Sequence, residues 1–341
     1  MMKSERVRII DIANELGVST ATVSNVIHGK TAKISDKTVK RVQKLLEERQ
    51  YIPSMAGILL AQNSSKIIGV VIRSHKKYGS HVLDDLYMSS ALNYLSEEID
   101  KAGFFMMVRT TNDFNEIFSF ASMWNMEGMV IIGFCEKEYK KLRDSIRIPF
   151  VVYHGYLNEQ GSFCNMIIDN YDGGFQMARY FCSLGHRRVL FISDNNVCMD
   201  AERYQGFKDG MKEEVDFMMI PMEKGARRKY YSENLSRLKE YTAIFLASDY
   251  YAIELMQFLQ ENGVRIPEDI SVAGFDDSPI CEMIYPSLTT IHQDEQEMAR
   301  RAVEMIKNLK EKNKQGVTLK LPVTLVKRNS VKKVIGNIIQ K

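Results

Sequence analysis

The sequence lacks the short motifs that mark most catalytic and nucleotide-binding sites. It contains no G-x-x-x-x-G-K-S/T loop, no G-x-G-x-x-G after a strand-like run, no G-x-S-x-G and no H-E-x-x-H. These absences remove the usual phosphate cradles, the nucleophile elbow and the zinc-protease helix. Only six histidines occur, and they are scattered. His75 and His81 share one stretch but have no third ligand beside them, so neither a metal nor a cofactor is expected. The five cysteines (Cys135, Cys164, Cys182, Cys198 and Cys281) are odd in number, form no C-x-x-C pair and sit mostly in apolar runs. That pattern suits reduced, buried thiols rather than a disulfide framework. No segment reaches the roughly 20 apolar residues needed to span a bilayer. The opening MMKSERVRII holds no apolar stretch of the kind a secretory leader needs, so the chain is expected to stay in the cytoplasm, away from membranes.

What is present is an ordinary globular composition, 45% hydrophobic and 26% charged over 341 residues, which allows two or three domains and a sizeable core. The net charge of +3 is unevenly placed. Residues 1–65 hold ten Lys/Arg against six Asp/Glu, so the remainder is close to neutral. A basic front on a near-neutral body fits a polyanionic partner, although a solvated basic surface would look the same.

Residues 8–51 read as three short helices. Ile9, Ile12, Ala13 and Leu16 fall at helical spacing, Gly17 permits a tight turn, and Ser19 is a good N-cap for a second helix from Thr20 to about Ile27. Gly29 ends it. Ser35 caps a third helix striped by Val39, Val42, Leu45 and Leu46. Helix, glycine turn and helix within about twenty residues is helix-turn-helix geometry. At about 100° per residue, Val23, Val26 and Ile27 share the buried face of the second helix, while Ala21, Asn25 and His28 fall opposite, with Thr20 leading the exposed end. Asn can bond adenine N6 and N7, and Ala or the Thr methyl can touch a thymine methyl. Ser19, Thr22 and Ser24 are candidate phosphate ligands.

The string DIANELGVSTATVSNVIHG (11–29) closely resembles the helix-turn-helix of the lactose/galactose-repressor family, D-I/V-A-x-x-x-G-V-S-x-x-T-V-S-x-V-I/L-x-G. The resemblance continues through IDNYDGGFQMARYFCSLGHRRVLFI, RYQGFKDG, VRIPEDISVAGFDD with SLTTIHQD, and LPVTLVKRNS, nearly end to end. It implies a transcription regulator, not an enzyme, that binds double-stranded operator DNA as a homodimer over a pseudo-palindromic site. It also implies a hinge helix in 52–65 that inserts a leucine, by register Leu60, into the minor groove. The hinge departs from the family pattern: Gly57, Ile58 and Leu59 stand where Ala, Arg and Ser are usual, and glycine weakens a helix by about 0.8–1 kcal/mol.

From Lys66 onward strands and helices alternate. Strands are expected at 67–72, 104–109, 128–133, 149–154, 166–170, 189–193, 243–248 and 270–275, many as continuous apolar runs. Helices are expected at 84–102, 173–184, 250–261 and 293–309. The expected architecture is therefore a small all-α head (1–51), a hinge (52–65), a two-lobed α/β core of doubly wound parallel sheets (66–330) and a C-terminal extension (331–341). Ligands of such sheets bind beyond the strands' carboxyl ends, and the cleft between lobes is a natural pocket.

In the family the two lobes resemble periplasmic sugar-binding proteins and hold a small-molecule effector, commonly a sugar or sugar derivative, between them. Arg203 matches the arginine that contacts effector, Asp276 its aspartate partner, and Asp249 the aspartate after AIFLAS, preceded here by Ser248 instead of the usual Asn. A guanidinium fork and a carboxylate suit neighbouring hydroxyls. The stretch 73–87 lacks the family's Asn-Pro-Phe-Phe-like segment and is longer; Tyr78, His81 or Tyr87 could line the pocket in its place. Control by a protein coregulator is the alternative within the family. A pure solute-binding protein, the rival outside it, would carry no DNA-binding head.

Overall fold

In the computed structural model, residues 7–53, 64–74, 81–134, 141–142, 145–155, 164–311 and 317–334 are described. The chain divides into two compact units, residues 1–65 and 66–341.

The head is built from α1 (Ile9–Leu16), α2 (Thr20–Ile27) and α3 (Asp36–Glu48). Ile12, Ala13, Val23, Val26, Val42 and Leu45 form its buried centre, with Leu16, Val18, Ile27, Val39 and Leu46 packed around them. The turn between the first two helices needs a left-handed residue, and Gly17 supplies it at φ +65°. Ser19 Oγ accepts the Thr22 amide at 3.1 Å, so α2 starts where the spacing predicts. Ser35 caps α3 through the Thr38 amide at 3.4 Å. The Arg49 guanidinium ties the far end of α3 to Glu15 at 2.9 Å, and Arg41 donates to the Leu16 carbonyl. The hinge residues 54–63, among them Gly57, Ile58, Leu59 and Leu60, lie outside the described residues.

The core holds two parallel sheets. The first runs β11-β5-β4-β3-β1-β2, from β1 (Ile67–Ile72), β2 (Phe105–Thr110), β3 (Gly128–Ile132), β4 (Phe150–Tyr153), β5 (Cys164–Ile168) and β11 (Thr318–Leu321). The second runs β7-β6-β8-β9, from β6 (Val189–Ser193), β7 (Asp216–Met219), β8 (Ala243–Leu246) and β9 (Ser271–Ala273). Helices α4 (Leu86–Lys101), α5 (Phe114–Met123) and α11 (Glu295–Glu311) accompany the first sheet; α6 (Asn170–Ser183), α7 (Cys198–Met211), α8 (Lys224–Glu233), α9 (Leu235–Leu238) and α10 (Asp249–Glu261) accompany the second. A two-stranded antiparallel ribbon, β10 (Thr290–Gln293) with β12 (Val323–Val326), completes the topology.

The apolar runs IIGVVI, GMVII, FVVY, VLFIS and AIFL are buried along their whole length, as strands covered on both faces must be. FFMMVR behaves differently. It forms the edge strand β2, and Phe105 and Val108 are exposed. Strands β7, β10, β11 and β12 have no counterpart among the expected strands: each is four residues long and none is a continuous apolar run. The chain passes between lobes three times: after β5, between β10 and α11, and between β11 and β12. The start of the C-terminal extension belongs to the core. The Val334 amide donates to the Leu184 carbonyl at 2.8 Å, Lys332 N to Ser271 Oγ at 3.2 Å, and Val331 is buried. Residues 335–341 lie outside the described part.

Cys164 and Cys281 are buried thiols. Among the described residues no helix is long and apolar enough to cross a membrane, and no cluster of His, Cys, Asp and Glu is arranged to hold a metal ion.

Candidate functional site

On α2, Val23 and Val26 are buried, while Thr20, Ala21 and Asn25 are exposed and Ser24 and His28 half-buried. The exposed set therefore forms one face, as the spacing predicts. Ser19 and Thr22 do two things at once. Beyond the capping bond, their hydroxyls share a 2.9 Å hydrogen bond, so part of their polar capacity is used within the helix start. Lys30, Lys33, Lys37 and Lys40 are exposed on the loop and helix that follow. A helix N-terminus with exposed hydroxyls, flanked by cations, presents donors and positive potential to phosphates.

The core has a cavity of about 250 Å³ between its lobes. Its walls come from the carboxyl ends of both sheets: Arg73 after β1, Gly133 after β3, His154 after β4, Asp194 after β6, Ala247 and Ser248 after β8, and Asp276 beyond β9. This is the position that parallel α/β topology prepares for a ligand. Tyr87, Met88, Asn195, Met199, Asp200, Tyr251 and Gln293 complete much of the lining.

Arg203 is held rigidly in this wall. It is buried, with Nε donating to Asn170 Oδ1 at 2.8 Å, Nη1 donating to the Ala247 carbonyl and lying 3.7 Å from the Asp276 carboxylate, and the guanidinium stacked 3.6 Å from the centre of the Phe275 ring. Two glycines bring its backbone there. A Cβ on Gly174 would fall 2.0 Å from the Arg203 carbonyl oxygen, and one on Gly206 would fall 1.9 Å from that of Tyr171. Helices α6 and α7 thus cross in backbone contact, and Arg203 sits at the crossing. Asp276 is fixed by Gln293 Nε2 at 2.8 Å and adopts φ +124°; His154 adopts φ +55°. Non-glycine residues at positive φ are costly and persist where surrounding structure enforces them, often beside functional sites.

On the cleft wall Tyr87 shares a hydrogen bond with His154 Nε2; behind it, Glu295 Oε1 lies 3.4 Å from that nitrogen and Tyr153 donates to Glu295 Oε2 at 3.0 Å. Burial, helped by the nearby Arg203 charge, pulls the His154 imidazole down to about 3. Burial pushes the Glu295 carboxyl up to about 8 against the Tyr153 hydrogen bond. At neutral pH both groups are uncharged.

The structure brings Arg203 and Asp276 together in the cleft. It does not bring Asp249 there. That carboxylate faces away from the lining and is completely buried, accepting from Thr290 Oγ1 at 2.6 Å, the Ser278 amide at 2.8 Å and the Cys281 thiol at 3.1 Å. Burial lifts its carboxyl to about 6. Asp249 braces the segment that carries Asp276, so it acts behind the wall. Its neighbour Ser248 is the residue that lines the cavity. Tyr78 lies outside the described residues. Of the alternatives in that stretch, Tyr87 lines the cavity, whereas His81 is exposed and lies outside the lining. Arg73, His154, Asp194, Asn195 and Gln293 were not singled out from the sequence. The first four share one signal, a position just after an apolar strand run, whereas Gln293 ends the short strand β10.

Residues 8–54 match the family described as "Bacterial regulatory proteins, lacI family", and residues 178–331 match "Periplasmic binding protein-like domain". The HTH-type transcriptional repressor PurR of Vibrio vulnificus (strain CMCP6) is 29% identical over 355 residues, covering 96% of this chain and 99% of the relative. The solved lac repressor dimer bound to operator and the anti-inducer ONPF shares the fold with TM-score 0.80 at 22% identity, covering 96% of this chain and 100% of that one. A LacI family regulator from Enterococcus faecalis V583 with bound ribose matches the core with TM-score 0.68 at 23% identity, over 79% of this chain and 99% of that one. The head, the two-lobed core and these likenesses agree along the chain, which belongs to the lacI family of DNA-binding transcription regulators and pairs a helix-turn-helix head with a periplasmic-binding-protein-like ligand core.

Proposed function

We propose that this regulator is a repressor that binds a pseudo-palindromic operator as a dimer and is controlled by a small sugar or sugar derivative held between its lobes. The observation that carries the ligand half of this reading is the cleft itself. It is a small cavity at the carboxyl ends of two parallel sheets, with a rigid guanidinium and a carboxylate side by side at its wall. Such a pair suits adjacent hydroxyls, which both donate and accept. A cavity of about 250 Å³ lies just under the roughly 300–1,000 Å³ of drug-sized pockets and so favours a ligand of monosaccharide size. The ribose complex of the Enterococcus faecalis relative supports the same ligand class.

The DNA half rests on the exposed Thr20–Ala21–Asn25 face, with Ser19, Thr22 and Ser24 toward phosphates, His28 at the far end of the same face and Leu60 as the minor-groove wedge. For the dimer, α4 and the neighbouring loop offer exposed apolar groups, including Leu86, Met283 at 82% and Tyr285 at 89% exposure. A dimer supplies the two recognition helices that a palindromic site requires. Control is a shift in population: a ligand that prefers one lobe orientation changes the fraction of molecules whose two heads fit the operator together.

Selection of binding sites from random DNA, with and without a sugar panel, tests the whole reading. The expected result is an inverted-repeat consensus whose occupancy changes with one sugar. Recovery of no consensus sinks the DNA half, and a consensus indifferent to every sugar sinks the ligand half.

A further inference from the structure

We propose that the effector carries no negative charge, and that the cleft prefers an amino sugar to its neutral counterpart and rejects its phosphorylated counterpart. This rests on the reading that the interlobe cavity is the effector site, and it deepens that reading by naming the ligand's charge.

The balance of groups on the wall is the first ground. Among the described residues four carboxylates line the cavity, Asp85, Asp194, Asp200 and Asp276, against two guanidiniums, Arg73 and Arg203. Arg203 is already committed to Asp276, Asn170 and the Ala247 carbonyl and is stacked on Phe275. Its charge is cancelled within the wall. His154, uncharged in this setting, adds no cation. Asp194, like Asp85, is held by neutral donors. Its partners are the Tyr251 hydroxyl at 2.6 Å and the Asn195 amide at 2.6 Å, both neutral donors, and no described cation pairs with it.

The second ground concerns helix ends. A phosphate in an α/β cleft is commonly held by a helix N-terminus, where free amides and the helix dipole favour negative charge. Three helices begin at this cleft wall, and each already carries an aspartate of the chain at its start. Asp85 caps α4, accepting the Tyr87 amide at 2.9 Å and the Met88 amide at 3.3 Å. Asp200 lies in the first turn of α7 and takes the Ser193 hydroxyl at 2.6 Å. Asp249 lies in the first turn of α10. Asp85 thus occupies the first of these cradles, Asp200 sets a negative charge beside the second and Asp249 one behind the third, so a phosphate would meet repulsion where other folds offer attraction. A ligand bearing hydroxyls and an ammonium would instead find acceptors, with Asp194 and Asp200 adjacent on one wall.

The test uses the full chain and matched probes: hexoses of the gluco, galacto and manno series, their 2-amino forms and their 6-phosphates, measured by thermal shift and titration calorimetry. In any series that binds, the amino sugar should bind roughly tenfold tighter than the neutral sugar, and the phosphate should give no shift at a concentration that saturates the neutral form. A 6-phosphate that binds as tightly as its parent sugar overturns the inference while leaving the cleft reading intact. Silence from all three forms in all series defeats the sugar reading of the cleft, and the inference falls with it. Asp194→Asn should collapse the ratio between amino and neutral sugar to near one, whatever it does to either affinity alone. An unchanged ratio in a variant that melts as the parent does refutes the role given to this carboxylate. If that variant is unstable, Asp200→Asn carries the same expectation for the ratio.

Discussion

Replacing Gly206 by alanine tests whether the crossing of α6 and α7 is what seats Arg203. The added Cβ would lie 1.9 Å from the Tyr171 carbonyl oxygen, 2.8 Å from the Tyr171 carbonyl carbon and 3.1 Å from the Phe175 amide. All three neighbours are backbone, so no side chain can turn aside. Contacts under 3.0 Å are essentially never seen for a real Cβ, and the helices must separate by about 1 Å. Overpacking a core typically costs 1–3 kcal/mol, and a clash against helix backbone belongs at the upper end, about 3 kcal/mol. For a unit of this size each kcal/mol lowers the melting temperature by about 2–4 °C, which predicts a loss of roughly 6–12 °C. Since Gly174 holds the Arg203 carbonyl across the same crossing, separation also drags the guanidinium from Asp276, and ligand affinity should fall together with stability. Gly225→Ala is the control: its Cβ would meet only the end of the Glu223 side chain, at 3.1 Å. Calorimetric melting of the parent and both variants, followed by ligand titration, gives the result. If Gly206→Ala melts within a degree of the parent, the helices are not in the contact described and the account of Arg203 fails.

Asp249→Ala strands three buried donors, on Thr290, Ser278 and Cys281, and should cost about 2–3 kcal/mol in urea unfolding; Asp276→Ala should instead abolish ligand binding with a smaller stability loss, and the reverse pattern would refute the division drawn between these two aspartates. Asn25→Ala should relax base preference at one operator position by about 1–3 kcal/mol, whereas Thr22→Ala should weaken all sites more evenly; an unchanged ranking of site variants for Asn25→Ala removes its assigned readout. Glu295 is held protonated up to about pH 8 in the folded chain but ionises near 4.5 when unfolded, so its contribution to stability is full below 4.5 and is lost as pH rises through 8. His154, pulled from 6.5 to about 3, acts oppositely and loses stability as pH falls below 6.5. Between pH 6.5 and 8 the Glu295 effect dominates this pair at up to about 1.4 kcal/mol per pH unit; Glu295→Gln should flatten that fall in urea midpoints, and an equally steep variant would refute it. Light scattering should show dimers at working concentration, and tetramers would overturn the proposed assembly.

The head was legible almost residue by residue, because local rules decide it. Ser19 and Ser35 cap, Gly17 turns, and the period of Val23 and Val26 fixes which face is free. The buried strands were legible for the same reason, since an apolar run such as VLFIS has few alternatives. The cleft was only partly so. Arg203 and Asp276 were visible through resemblance, but Asp249 shows what a sequence motif hides: an aspartate after a strand can face the ligand or brace the loop that does, and the choice depends on Thr290 and Cys281, which are distant in sequence. His154 and Asp194 line the same cleft only because two sheets end at the same place, a long-range fact with no local signature. Strand β11 leaves little signal because TLKL is only four residues long and its partner β5 lies some 150 residues away.

That last strand has a consequence for how the protein is made. The first sheet takes its edge strand from residues 318–321 and is covered by a helix from 295–311, although its other five strands are complete by residue 168. A nascent chain emerging from the ribosome can close the head early, since all its partners are local. The first lobe must wait, with the open side of Cys164–Ile168 unpaired, until nearly everything else has been translated. Premature stops just short of residue 317 should therefore leave two incomplete lobes rather than one good lobe and one bad one, and the exposed β5 edge makes such fragments candidates for aggregation and rapid proteolysis.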